Sequence, residues 1–330
     1  EPESHMHPQM QNVFIRFLTK YYTEKKLQGL ITTHSNEIAR SVGLNSLRVI
    51  RQTEKSKSEL FNLSKFRKSI ENKKVKNVDK ESEFLLQNFF DWFFEIGYSE
   101  LIFADKVILY EGDTERLYIR KLLGMTEFAS LRDNYIAFIQ VGGAYAHNYL
   151  EILTMLKMKS LIITDLDYNK DATTFEIAKN STSTNATINH CYRLIYPEKG
   201  AAYLPSIKEI YEMQTEKGTV ICNDLICVAY QDENSTARTL EEAMLNKFLS
   251  KNVFDKTKRS EWKSIRKNNN LTFTIPNNRN DETDSEFSIR QIVAASSNNK
   301  TDFMYSVVLS GNEEKMLPDY IRKGLLWLAK

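Results

Sequence analysis

The chain has 330 residues, of which 42% are hydrophobic, and its formal net charge is only +2. That content is ample for a buried core, and no apolar stretch approaches the roughly 18 residues of a membrane-spanning helix, which excludes a bilayer helix. Three cysteines without framework spacing exclude a disulfide-stapled secreted fold and lead us to expect free thiols in a reducing, cytoplasmic setting rather than a zinc site with His190.

In chain order, the sequence opens on Glu1-Pro2-Glu3-Ser4-His5-Met6-His7-Pro8 without an initiator Met, as a fragment of a longer protein would. In residues 9–22, Val13, Phe14, Phe17, Leu18 and Tyr21 recur at three-and-four spacing, which predicts a helix. Residues 27–35 (LQGLITTHS) read as a buried strand that delivers hydroxyls and His34 at its end. Residues 51–79 are polar and lysine-rich, and residues 84–103 are densely aromatic, as a packed helical connector or an oligomerisation surface would be. Beyond them the period changes. Strands are predicted at 106–110, 135–141, 160–164 and 225–230, with helices at 113–123, 144–156 and 240–248. Such alternation predicts an α/β fold with a parallel sheet flanked by helices. Residues 180–190 and 268–283 are rich in Asn, Ser and Thr and read as loops or insertions. Lysine and arginine gather in residues 65–80 and 256–267, either as solvated faces or as phosphate contacts.

In an open parallel sheet, ligands bind where loops leave the carboxyl ends of adjacent strands. Three predicted strands end there in Glu111-Gly112-Asp113-Thr114-Glu115, in Gly142-Gly143, and in Asp165-Leu166-Asp167. An extended chain with a period of two would put Asp165 and Asp167 on one side, and crowded carboxylates need a hard cation to stay ionised. Glu115, one helical turn beyond Glu111, can face the same pocket. Gly142 and Gly143 permit close approach of a sugar-phosphate. Two divalent ions on these carboxylates would clamp a phosphodiester, and Lys300 would supply fixed positive charge. Taken singly, a D-x-D is more often a surface turn and Lys300 a surface lysine; only the combination over three strand ends is specific.

These segments (VILYEGDTERL, then Val141-Gly142-Gly143, then ITDLD) resemble the TOPRIM domain of topoisomerases, primases and overcoming-lysogenization-defect (OLD) nucleases, best the OLD branch. The resemblance implies three regions: residues 1–50 as the tail of an ABC-type ATPase domain, 51–104 as a helical connector, and 105–330 as a TOPRIM nuclease domain with insertions. It implies catalytic roles for Glu111, Asp165, Asp167 and Lys300, and metal ligation by Glu111, Glu115, Asp165, Asp167 and Glu241, with Glu242 the alternative for the last. Glu1 would match the ATPase glutamate that activates water, and His34 the switch histidine that senses γ-phosphate. No Gly-Lys dipeptide occurs, so ATP is expected to bind only in the parent protein, through a loop upstream. The activity implied is a Mg²⁺- or Mn²⁺-dependent DNA endonuclease or nickase. Its partners would be DNA, further copies of itself and a defence-system protein such as a helicase or reverse transcriptase, as in the anti-phage relatives of the Gabija or retron-associated kind. The alternative is a regulatory module with a degenerate metal site.

Overall fold

The computed structural model describes residues 1–66, 98–143, 145–217, 220–277 and 284–330. Most of the aromatic connector and of the lysine run 65–80, together with residues 278–283, lies outside the described residues. The chain divides into two compact units, one of Glu1–Asp105 with Glu151–Met158, the other of Lys106–Leu150 with Lys159–Lys330.

In the first unit, helices α1 (Pro8–Glu24) and α2 (Asn36–Val42) precede an antiparallel hairpin of β1 (Arg48–Glu54) and β2 (Lys57–Asn62). Pro8 starts α1 because a proline at the first helical position loses no hydrogen bond, and the His7 ring accepts from the Gln9 N–H as its cap. Residues 27–35 are not a strand. An apolar run becomes one only with a ladder partner, and here its hydroxyls turn to side chains instead, Thr33 donating to Glu3 and Ser35 to Gln11, while the Ser35 oxygen also caps α2 by accepting from the Ile38 N–H. The sequence does not announce the hairpin because its strands, RVIRQTE and KSELFN, are mostly polar and their cross-strand pair Ile50–Leu60 is exposed.

The second unit is built on a five-stranded sheet in the order β4-β3-β5-β7-β6, with β3 (Lys106–Tyr110), β4 (Ile136–Gln140), β5 (Lys159–Ile163) and β7 (Ile226–Ala229) parallel. Only β6 (Val220–Asn223), at the edge, runs antiparallel. The expected α/β class is thus observed. Strands β3, β5 and β7 are buried on both faces beyond their first residues, which explains the apolar stretches VILY, LII and ICVA. Each of their Leu, Ile and Val side chains contributes roughly 1.5–3 kcal/mol by leaving water.

The helices of this unit that bear on the site are α3 (Asp113–Leu122) after β3, then α6 (Ala186–Ile195), α8 (Leu240–Leu249), α10 (Ile289–Ala295), α11 (Lys300–Leu309) and α12 (Asp319–Ala329). In chain order between them come α5 (Phe175–Lys179), α7 (Ile207–Lys217) and α9 (Arg259–Asn268), while α4 (Leu150–Met155) belongs from Glu151 on to the first unit. Helix α6 overturns the expectation of a loop at 180–190. Asn185 caps it through the Ile188 N–H, and its buried Ile188, Cys191 and Tyr192 supply helical spacing that the polar residues before them obscured. Cys227 is a buried free thiol while Cys191 is disulfide-bonded, which corrects the expectation of free thiols throughout.

Helix α12 lies tight on the sheet at Gly324, where an added Cβ would stand 2.8 Å from Leu161 Cδ1 and 3.2 Å from the Ala229 Cβ. Gly324→Ala is therefore expected to cost about 1–3 kcal/mol through overpacking, despite the better helix propensity of alanine. Urea denaturation checks this; an unchanged or raised midpoint would refute the close packing.

Candidate metal centre

Because β3, β5 and β7 are adjacent and parallel, the residues just past their carboxyl ends meet. These are Glu111 after β3, Thr164 and Asp165 after β5, and Gln231 shortly after β7. Glu111 Oε1 accepts from the Thr164 hydroxyl, from the Asp165 N–H at 3.1 Å and from Asn185 Nδ2 at 3.5 Å. Asp165 Oδ1 accepts from Gln231 Nε2 at 2.7 Å, and the Gln231 Oε1 in turn accepts from the Leu166 N–H at 2.6 Å. Asn185 also donates to the Thr164 hydroxyl at 2.6 Å and to the Asp165 carbonyl at 2.8 Å.

Gln231 and Asn185, both fully buried, thus orient the two central carboxylates. Sequence reasoning missed both. Neither stands in a recognisable motif: Gln231 is marked only by directly following the predicted strand 225–230, and Asn185 lies within the segment expected to be a loop.

Glu115 comes from the first turn of α3, where its Oε2 accepts from the Gly112 N–H and the Thr114 hydroxyl, each at 3.0 Å. It therefore caps its own helix as well as facing the cluster. Burial first, and then the charges of Glu241 and Glu111, push its carboxyl up to about 7 against the pull of its hydrogen bonds. Burial followed by the charges of Glu111, Glu241, Glu115 and Asp167 drives Asp165 well above the usual carboxylate range. Glu111 is raised mainly by burial, with Asp167 adding to the effect while the Thr164 and Asp165 hydrogen bonds and Lys300 oppose it. Acidic groups from three separate stretches of chain, 111–115, 165–167 and Glu241, accordingly sense one another.

The structure also separates Glu241 from Glu242. Glu241, at the start of α8, is buried and lies 3.2 Å from Lys300 Nζ through each oxygen. Its Oε1 is a buried atom with no hydrogen-bond partner among the described residues. Glu242 turns away, accepting from the Arg238 N–H at 2.8 Å and lying 4.0 Å from Arg290 Nε. Lys300 opens α11; burial disfavours its charge, but Glu241, Asp165 and Glu115 outweigh that and hold its pKa above the ordinary lysine value.

Asp167 departs from the expected geometry. Strand β5 ends at Ile163, and Asp167 has a left-handed backbone with φ 50°, so the period of two does not govern its direction. Its Oδ1 pairs with Arg238 Nη2 at 2.8 Å. Gly142 and Gly143, after β4, both have positive φ (61° and 94°), a conformation that a side chain would strain. Among the described residues, no three His, Cys, Asp or Glu side chains stand in a ready metal-holding arrangement, since Lys300, Arg238, Thr164 and Gln231 already engage the carboxylates.

In the other unit, His34 Nε2 lies 3.2 Å from Glu1 Oε1, which joins the two residues of the ATPase-like reading. Glu3, which the sequence did not single out, is buried and accepts from the Thr33 hydroxyl at 2.5 Å and the His34 N–H at 3.2 Å.

Residues 102–167 match the model of the overcoming lysogenization defect protein-like TOPRIM domain. Over this segment the chain is similar to the OLD-like TOPRIM family. Residues 1–39 match the AAA ATPase domain. Endonuclease GajA of Bacillus cereus (strain HuB5-5) is 27% identical over 358 residues, covering all of this chain and 48% of that protein. The chain thus spans about half the length of this curated relative. Among solved structures, the C-terminal region of the Burkholderia pseudomallei OLD protein aligns with TM-score 0.39 and 18% identity, over 69% of this chain and 98% of that one. The corresponding region from Xanthomonas campestris pv. campestris gives 0.36 and 17%, over 70% and 94%. Of the residues singled out above, Glu111, Glu115, Asp165 and Asp167 fall inside the TOPRIM match, and Glu1, Glu3 and His34 inside the ATPase match.

The crowding of carboxylates in this site carries a stability signature. Glu115, ordinarily near 4.5, sits at about 7 in the folded chain, so its protonated form favours folding. That contribution is full below the unfolded-state value and is lost as pH rises through about 7. In EDTA, the melting temperature should fall between pH 5 and pH 8, reflecting at most about 3 kcal/mol from this group. Glu115→Gln, which keeps an acceptor for the Gly112 N–H, should flatten the profile. A profile as steep in that variant as in the unmodified chain would show that the carboxyl is not strained by its neighbours.

Proposed function

We propose that the chain is part of an OLD-family enzyme in which the TOPRIM site hydrolyses DNA phosphodiesters with Mg²⁺ or Mn²⁺. In this reading residues 1–50 belong to an ATPase domain, 51–104 to a connector and 105–330 to the nuclease domain. The observation that carries it is the convergence of Glu111, Glu115, Asp165 and Glu241, with Lys300 beside them, at the carboxyl ends of adjacent parallel strands. A donor set made of carboxylates alone is the chemistry that hard divalent cations take, and the buried Oε1 of Glu241, which accepts no hydrogen bond although Lys300 Nζ lies 3.2 Å away, leaves a lone pair to be used. Glu111, Asp165, Asp167 and Glu241 are the residues that would hold such ions, with Glu115 beside them.

Bound there, divalent cations supply an activated water and neutralise charge on the phosphate. The protein's own residues do the rest. Gln231, Thr164 and Asn185 fix the orientation of Asp165 and Glu111, so little reorganisation is left for the reaction. Lys300, half exposed and held over Glu241, offers its ammonium to a phosphate oxygen as charge builds. Gly142 and Gly143 shape a turn without side chains where a sugar-phosphate backbone could pass.

Incubating the purified chain with supercoiled plasmid and Mg²⁺ or Mn²⁺, with and without EDTA, tests the proposal: nicked or linear product only in the absence of EDTA is expected. The second reading, a regulatory module with a degenerate site, draws on the fact that intramolecular partners already engage the carboxylates. It predicts no cleavage under any of these conditions. ATP hydrolysis, self-association, anti-phage defence and a helicase or reverse-transcriptase partner belong to the parent protein on this reading.

A further inference from the structure

The acidic row of the site is flanked by two cations of the chain itself, Lys300 on Glu241 and Arg238 on Asp167. They are not equivalent. Lys300 is a flexible stem at the start of a helix, whereas Arg238 is locked in place at several points. Its N–H donates to Glu242 Oε2 at 2.8 Å, its carbonyl accepts from the Asp167 N–H at 3.3 Å, and its Nε donates to the Tyr168 carbonyl at 2.7 Å.

Asp167 is equally constrained. Its carbonyl accepts from the Thr184 N–H at 3.2 Å and the Thr184 hydroxyl at 3.0 Å, and its backbone sits in the left-handed region. The loop beyond it is anchored by Arg290, whose Nη2 donates to the Asn169 carbonyl at 3.0 Å and whose guanidinium lies 4.9 Å from the centre of the Tyr168 ring. With both backbones held, exchange at Asp167 falls to the two side chains, and moving the guanidinium off Asp167 also breaks its Nε bond to the Tyr168 carbonyl.

We infer that Arg238 is a resident counter-ion that occupies the Asp167 carboxylate in place of a divalent cation, so that loading of Asp167 requires the guanidinium to swing off it. The inference rests on the functional reading above and deepens it. It makes Asp167 the last ligand to engage and Arg238 the residue that opposes its engagement. The geometry is suited to such an exchange. The pair is about one quarter exposed on each side, with relative accessibilities of 27% and 26%, so a released guanidinium reaches solvent or a phosphate rather than a closed core. An arginine fork also binds phosphate oxygens in pairs, which gives the displaced group a partner when a nucleic acid is present.

The test is Mn²⁺ binding by the full chain, read as free Mn²⁺ by electron paramagnetic resonance, so no activity enters. Arg238→Gln is expected to tighten binding on the order of ten-fold, the size of one close charge–charge term in a partly solvated site. In an Asp167→Asn background the same substitution should change binding by less than about two-fold, because the competition it removes is absent. Unchanged or weakened binding in Arg238→Gln overturns the inference. So does equal tightening in both backgrounds, which would mark a general field effect. Should Arg238→Gln melt below the working temperature, Arg238→Met, which keeps the packed stem, carries the same expectation. If the unmodified chain binds no Mn²⁺, the proposed function fails and this inference with it; binding without tightening removes the inference alone.

Discussion

Asp165→Asn is expected to abolish Mg²⁺- or Mn²⁺-dependent nicking of supercoiled plasmid, by about 10³-fold or more, since loss of a central carboxylate removes several kcal/mol of stabilisation from the reacting phosphate. Asparagine is the informative replacement because its carbonyl still accepts from Gln231 Nε2, leaving the hydrogen-bonded frame intact. The same change should leave the protein more stable in EDTA at pH 8. Burial and the charges of Glu111, Glu241, Glu115 and Asp167 all disfavour the ionised Asp165 in the folded chain. A carboxyl raised in this way supports folding at low pH and opposes it as pH rises, so deleting its charge removes a cost at pH 8. Nicking assays together with thermal melts check both halves. A destabilised variant, or one that still nicks at an undiminished rate, would show that Asp165 is a structural carboxylate.

Lys300→Ala should lower cleavage by about 10²–10³-fold, the range typical for removing one preorganised charge from a reacting centre. It should also destabilise the fold by about 1–2 kcal/mol. A buried pair broken on one side costs more than that, but the Lys300 side chain is 42% exposed and solvent screens part of the interaction. Glu241, nearly fully buried, is the group left uncompensated. The double variant Lys300→Ala, Glu241→Gln should recover much of the stability and none of the activity, because removing the second charge repairs the desolvation problem but not the missing ammonium. Denaturant melts and plasmid nicking on the four proteins of this cycle decide it. Recovery of activity in the double variant would place Lys300 outside the reacting centre.

Much of this protein was determined by the order of its residues alone. The runs KVILY and SLIIT have to be buried strands, since both faces are apolar, and the period-3.6 segments between them have to be helices. Strand–helix alternation then requires a parallel sheet, and parallel strands put their carboxyl ends on one edge, so Glu111 and Asp165 meet as a consequence of topology.

Only the tertiary structure decided what happens past those strand ends. Asp167 looked like the partner of Asp165 two residues on, but the chain has already left the strand and turned left-handed, and the ion pair with Arg238 sets its direction. Glu241 and Glu242 are indistinguishable in sequence; which one faces Lys300 follows from the rotation of α8 about its axis. Asn185 and Gln231 gain their roles by contacts across 20 and 66 positions respectively. Side-chain period and residue type are local properties that a sequence displays directly. Orientation in loops and the pairing of distant polar groups depend on which neighbours the completed fold supplies.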